Sequence, residues 1–261
     1  MDGDATLSGM ELRASGTPVT PIGALPVVAD SGRVRRFVFG AAVAFAYVAL
    51  GIVAGRLALT GALTWWIVLA AIGGIATADL VSGIVHWAAD TWGRDDLPVI
   101  GPAVLVPFRV HHVNPDDFRR RRFVDVNGDV ALIAVPALLS LLWLDVESPL
   151  GAVACAWGAA FCAASMLTNQ IHQWTHMPAP PHGVRVLQAC RLILRPSAHA
   201  AHHDGPYDLH YCITTGWWNR PLELIGFFRW LERAITRATG AQARRDDRTY
   251  GRRYAPPAPV G

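Results

Sequence analysis

Lysine is absent from this 261-residue chain, and all 23 basic residues are arginines. Together with the abundance of alanine, this follows the base composition of a coding sequence as readily as it follows function. Charge is scarce as well: 16% of residues are charged, against roughly 25% in soluble domains. The net charge of +3 gives no basic field of the kind that gathers nucleic acid. Only four cysteines occur, Cys155, Cys162, Cys190 and Cys212, and no two form a C-x-x-C pair. That spacing excludes a zinc ribbon or a disulfide framework, and the cysteines read as small buried hydrophobes. The first 32 residues lack an apolar run long enough for a signal peptide. They read as a disordered tail, which leaves the first membrane segment to act as its own targeting signal. No internal repeat is visible.

Long apolar runs are present. A bilayer crossing takes about 20 mostly apolar helical residues. Residues 37–59, 63–87, 130–144 and 150–171 qualify, the third being short and interrupted by Pro136. The predicted fold is therefore an all-α integral membrane bundle of about four transmembrane helices, occupying residues 33–240. Arg33, Arg35 and Arg36 precede the first run, and Arg94, Arg109 and Arg119 to Arg122 lie between the second and third. The turn between the third and fourth carries Asp145 and Glu147 instead. The positive-inside rule then puts both termini and the 88–128 loop in the cytoplasm, as expected for a multi-pass protein of a bacterial inner membrane. Residues 184–194 and 222–238 read as interfacial amphipathic helices. Residues 241–261, charged and then proline-rich, read as a second disordered tail.

Eight of the ten histidines fall into four tight groups. His86 is followed by Asp90 in H-W-A-A-D; His111 and His112 are adjacent; His172 and His176 stand four apart; and His199, His202 and His203 form H-A-A-H-H. On a helix, residues three or four apart share a face, so two side chains can reach one metal. An adjacent pair cannot share a face, but it can serve two metals, or bind with one ring and brace with the other. Imidazole suits zinc, copper, iron or nickel. Eight clustered histidines exceed the needs of one ion, and all lie on one predicted side of the membrane. His182 and His210 stand apart and read as ordinary interfacial histidines. Asp79, inside the second run, is costly there and should face the protein interior. Two readings stay open for it: it orients a ligand histidine, or it is a carboxyl buried near Ser82.

The strings H-W-A-A-D-T-W-G, P-F-R-V-H-H, V-N-G-D, T-N-Q-I-H-Q-W-T-H and H-H-D-G-P-Y-D-L-H-Y-C-I-T-T-G-W-W-N resemble the plasmanylethanolamine desaturase family, in order from about Asp79 to Glu232. That family includes the animal plasmalogen-forming enzyme and a bacterial protein of light-induced carotenoid synthesis. A chloroplast enzyme that places a trans double bond in phosphatidylglycerol is a more distant member. The resemblance implies an oxygen-dependent lipid desaturase with two iron ions (Fe2+) held by His86, His111, His112, His172, His176, His199, His202 and His203. It implies dioxygen as co-substrate and no catalytic residue beyond the metal centre. Asp90, Asp79 and Asn127 are further candidates as ligands or as braces for ligands, and Arg109 and Arg195 as contacts for a lipid phosphate. Val110 and Ala198 depart from the family pattern, the first where an acidic residue is expected and the second where some relatives carry another histidine.

The implied reaction converts a 1-O-alkyl ether phospholipid into its 1-O-alk-1-enyl form, a plasmalogen. Breaking an unactivated C–H bond is beyond any side-chain acid or base, so the oxidising power must come from a cofactor. No haem-attachment motif, flavin fingerprint or ferredoxin cysteine set is present. An external electron donor such as cytochrome b5, or ferredoxin with its reductase, is expected. Three other readings remain at this stage: a desaturase or hydroxylase of an ester-linked acyl chain, a zinc metallohydrolase (although H-E-x-x-H is absent), and a non-enzymatic membrane sensor.

Overall fold

The computed structural model describes residues 25–61, 64–204 and 207–250. The parts of the two tails at 1–24 and 251–261, and the Gly205-Pro206 step of one family string, lie outside the described residues. Ten α-helices occur among the described residues, with no strand. They are α1 (Arg33–Leu59), α2 (Trp65–Thr91), α3 (Val106–Val113), α4 (Pro115–Arg119), α5 (Phe123–Leu141), α6 (Pro149–Thr175), α7 (His182–Ala189), α8 (Pro196–His203), α9 (Asn219–Leu224) and α10 (Phe227–Thr239). A π-helical turn, Gly101–Leu105, leads into α3, and a 3-10 turn, Asp247–Thr249, follows α10.

Helices α1, α2, α5 and α6 are long and apolar enough to cross a membrane, and the protein is an integral membrane helical bundle. Their outward surfaces carry exposed Val48, Ile52, Val68, Ile72 and Ile133, as a lipid-facing wall requires. Inside, α6 packs against both α2 and α5, and α1 lies mainly on α5. Small residues let these backbones approach. Gly74 in α2 sits against the backbone of Trp157 and Phe161 with no room for a Cβ. Ala46, Ala49, Ala131, Ala134 and Cys162 close the seam of α1, α5 and α6 around Leu138 and Met166. Cys155, Cys162 and Cys212 are buried, as small hydrophobes are, whereas Cys190 is exposed; all four are free thiols.

The spans run longer than their apolar cores. Helix α5 begins at Phe123 rather than 130, because its polar first turns find partners. Asp125 and Asp129 pair with Arg36 and Arg35 of α1, and Asn127 bonds Phe123 O at 2.9 Å and the Gln170 N–H at 3.1 Å. Helix α2 continues to Thr91 and α6 to Thr175; His86 stands at the end of the second apolar run, and the polar extensions carry Asp90 and His172. Asp125 pairs with Arg36, so α1 and α5 start at the same end of the bundle where α2 and α6 finish. At the opposite end the Arg56 guanidinium donates to the carbonyls of Leu141, Leu142 and Leu144, closing the C-terminus of α5.

The amphipathic stretch expected over 222–238 is two helices, broken where Gly226 adopts φ +63°. Residues 241–250, compositionally the start of a tail, lie against the bundle: the Arg244 N–H donates to Thr91 O and the Tyr250 hydroxyl to Asp95. Residues 25–32 are held likewise, with Asn114 donating to Pro26 O and Arg121 to Val28 O.

Candidate metal centre

All eight grouped histidines converge at the end of the bundle where α2 and α6 terminate, and they divide into two clusters. His111, His172, His176, His199 and His203 form the first; His86, Asp90, His112 and His202 form the second. Within each cluster the candidate ligand atoms lie within 4.8 Å of one another. Helical geometry explains the division. Side chains four apart on one helix share a cluster: His86 with Asp90, His172 with His176, His199 with His203. Adjacent side chains are about 100° apart around a helix, so His111 and His112 part company, as do His202 and His203. Each adjacent pair serves both clusters.

The second cluster is the better braced. His86 Nδ1 is 3.0 Å from Tyr211 O and His202 Nδ1 is 2.7 Å from Leu209 O. His112 Nδ1 is 3.2 Å from the Asp247 carboxylate. Each of these partners can only accept, so each Nδ1 carries a hydrogen, and in the neutral ring Nε2 is then left as a lone pair free to bind metal. Those three Nε2 atoms face Asp90 Oδ2 at 3.2, 3.6 and 3.5 Å for His86, His112 and His202. His86 Nε2 and both Asp90 oxygens are buried without a hydrogen-bond partner. Four electron-pair donors facing one another in a dry site repel unless a cation lies between them.

In the first cluster the Nε2 atoms of His172, His176, His199 and His203 stand 2.8–3.3 Å apart along the contacts His172–His199, His172–His176, His176–His199 and His199–His203. Two nitrogens bound to one metal at about 2.1 Å are separated by roughly 3.0–3.4 Å. The spacing therefore suits two ligands of one ion. His111 Nε2 in this cluster is also buried without a partner. Burial, and then the neighbouring histidines, push His111, His112 and His199 well below the ordinary imidazole range. The same causes lower His176 to about 4 and His203 to about 2. The neutral ring favoured here is the form that binds metal. Phe108 and Phe118 pack on His86 and His172 and keep the walls apolar.

The other sequence candidates fall elsewhere. Asp79 touches no ligand histidine: its Oδ1 accepts from the backbone N–H groups of Thr214, Thr215 and Gly216 and its Oδ2 from Trp218. It anchors the loop whose Tyr211 carbonyl braces His86. Asn127 spends its amide on the α5–α6 contact and belongs to neither cluster. Arg109 is 2% exposed and donates to Ala89 O, Trp92 O and Gly93 O, so it caps α2 and offers nothing to a phosphate. Arg195 is half-buried at the N-cap of α8, one residue before the helix. His182 is exposed; His210, at φ +57°, binds Ala198 O and Glu223 and fixes the same loop. Two contributors were not anticipated: Asp247, and the carbonyls of Leu209 and Tyr211. Backbone groups leave no signal in a sequence, and Asp247 sits in a charged, proline-rich stretch.

A cavity of about 180 Å³ reaches His111 and His172 from between α3, α5 and the 28–31 segment. Its apolar lining includes Phe108, Phe118 and Val126, and its polar lining includes Asp30, Arg35 and Asp129.

Comparison with known proteins places this geometry. Residues 75–246 match the lipid desaturase domain, a stretch that contains every histidine of both clusters. The chain belongs to the lipid desaturase family. This lipid desaturase is 46% identical over 185 residues to "Plasmanylethanolamine desaturase" of Myxococcus xanthus, covering 70% of the chain and 66% of that protein. It is 40% identical to "Plasmanylethanolamine desaturase 1" of Mus musculus, covering 72% of the chain and 71% of the mouse protein. To "Fatty acid desaturase 4, chloroplastic" of Arabidopsis thaliana the identity is 32%, over 67% of the chain and 54% of that protein. No solved structure matches the chain. As a lipid desaturase it is an oxidoreductase, which removes the metallohydrolase and sensor readings.

Proposed function

We propose that this lipid desaturase converts a 1-O-alkyl ether phospholipid, a plasmanylethanolamine, into the 1-O-alk-1-enyl form at a pair of iron ions. The observation that carries the proposal is the division of eight histidines and Asp90 into two adjoining clusters. The balance is one alkyl –O–CH2–CH2– unit, dioxygen, two electrons and two protons giving –O–CH=CH– and two waters. Iron held by the two clusters would supply the oxidising power. The chain's own residues do the rest. His111, at 4.4 Å between ring centroids from His112, keeps the two sites in register. Phe108 and Phe118 exclude water from the reacting carbons. The carbons to be desaturated adjoin the ether oxygen, so the glycerol must come close to the clusters. The cavity at His111 and His172 supports this: it is small beside the roughly 300–1,000 Å³ of an ordinary ligand pocket, and so takes the head of a lipid rather than its whole length.

The arginine distribution supports a cytoplasmic site in a bacterial inner membrane, with Arg33, Arg35, Arg36 and Arg119 to Arg122 at the end that bears the clusters. Electrons would then arrive from a cytoplasmic donor such as a ferredoxin or cytochrome b5 with its reductase. The names of the Myxococcus and mouse relatives favour the ether substrate over the ester-linked chain. The test is mass spectrometry of membranes supplied separately with ether and ester phospholipids, with and without oxygen. An acid-labile vinyl ether, formed only from the ether lipid and only with oxygen, is the expected product. A double bond appearing in the ester lipid instead would overturn the reading.

A further inference from the structure

The family match ends at residue 246, yet the next residue completes the bracing of the second cluster. After α10 the chain turns at Gly240, φ +73°, and returns across the end of α2. There the Arg244 guanidinium donates to Asp90 O at 2.6 Å, and Tyr250 packs among Val106, Val110 and Val113 of α3. This path sets Asp247, 8% exposed, with Oδ1 3.2 Å from His112 Nδ1. His86 and His202 rest on main-chain carbonyls, which no substitution removes. His112 alone among the three rests on a side chain, and that side chain is a carboxylate. A carboxylate behind an imidazole fixes its tautomer and strengthens its other nitrogen as a donor.

We propose that Asp247 is a positioning residue for the second metal site, holding His112 in the Nδ1–H tautomer and aiming its Nε2 at the point shared with His86, Asp90 and His202. Asp247 is thereby a working part of the centre, whereas Tyr250 only fastens the same segment to α3 and Asp95. The proposal rests on the metal reading above, but not on which lipid is oxidised.

The experiment is anaerobic titration of the purified full chain with Fe2+, with bound metal counted at each step and thermal unfolding followed in parallel. Asp247→Ala, Asp247→Asn and Tyr250→Phe are compared with the wild type. The wild type should take up two ions. Asp247→Ala should keep the five-histidine site and bind the second ion about 10–100-fold more weakly, the usual effect of losing such a brace. Asp247→Asn retains an oxygen to accept from Nδ1–H and should fall between them. Tyr250→Phe removes a different anchor of the same segment and should leave both affinities unchanged. Two full-affinity sites in Asp247→Ala overturn the proposal. So does an equal weakening of both sites with a lowered melting point, or a Tyr250→Phe variant that behaves like Asp247→Ala, since either makes the role merely structural. A wild type that takes up no iron overturns the metal reading and this proposal together, and the wild-type curve alone identifies that outcome.

Discussion

Asp79 and Thr215, 136 residues apart, are joined by a 2.7 Å hydrogen bond from the Thr215 backbone N–H to the Asp79 carboxylate. Three more N–H groups of the same loop converge on that carboxylate, which is fully buried in α2. Asp79→Asn keeps one acceptor but turns an amide toward the Trp218 N–H, leaving a buried donor unsatisfied. A loss of about 1–3 kcal/mol is expected, read as a lower unfolding midpoint in detergent. Because the loop supplies the Tyr211 carbonyl to His86, weaker metal retention should accompany it. An unchanged midpoint would show that the loop is held by other contacts.

Histidines in the two clusters should be separable from the exposed one. His172→Ala and His202→Ala each remove a candidate ligand, from the first and the second cluster respectively, and each should abolish vinyl ether formation, by more than about 100-fold if an interaction needed in the transition state is lost. His182→Ala, at an exposed position that belongs to neither cluster, should stay within about twofold of the wild type. Product counted by lipid mass spectrometry decides the matter; a disabled His182→Ala would mean that the clusters do not bound the site.

Acid should destabilise the metal-free chain in a defined window. His176 is lowered to about 4 and His203 to about 2, mainly by burial, and His111, His112 and His199 also lie well below the ordinary value. An unfolded chain binds protons at these rings below about pH 6.5, while the folded chain does not. Stability is therefore fully present above pH 6.5 and is lost as the pH falls, the His176 share being exhausted near 4. Each ring contributes a slope of about 1.4 kcal/mol per pH unit within its window. Denaturant unfolding of chelated protein between pH 7.5 and 4.5 measures this; flat stability across the range would contradict it.

Gly83 in α2 lies directly against Cys212, with no space for a side chain. Cys212 is itself clamped by Asn219, which accepts from its N–H at 2.8 Å and donates to its carbonyl at 3.0 Å. Gly83→Val should force the 211–213 backbone away from α2 at a cost of about 1–3 kcal/mol. The Tyr211 carbonyl moves with it, so activity should fall further than stability alone explains. The ratio of activity to folded protein at low temperature is the measurement, and proportional losses would count against the coupling.

The apolar runs and the histidine spacings were legible in the sequence because each follows from local geometry. A bilayer demands a length of nonpolar helix, and a shared metal demands side chains one helical turn apart. Hence the four crossings and the i,i+4 pairs that the fold gathers into clusters could be read residue by residue. Only the tertiary structure decided that His111 and His112 serve different clusters, that Arg109 caps a helix instead of meeting a phosphate, and that Asp79 grips a distant loop. It also decided that residues 241–250 return to the site with Asp247. These outcomes depend on contacts between separate segments, as little as 16 residues apart for Arg109 and as much as 139 for Asp79, and on main-chain carbonyls. A hydropathy pattern assigns a polar residue to water or to a site, whereas in the folded bundle a buried polar group is settled by whichever partner the packing brings within reach.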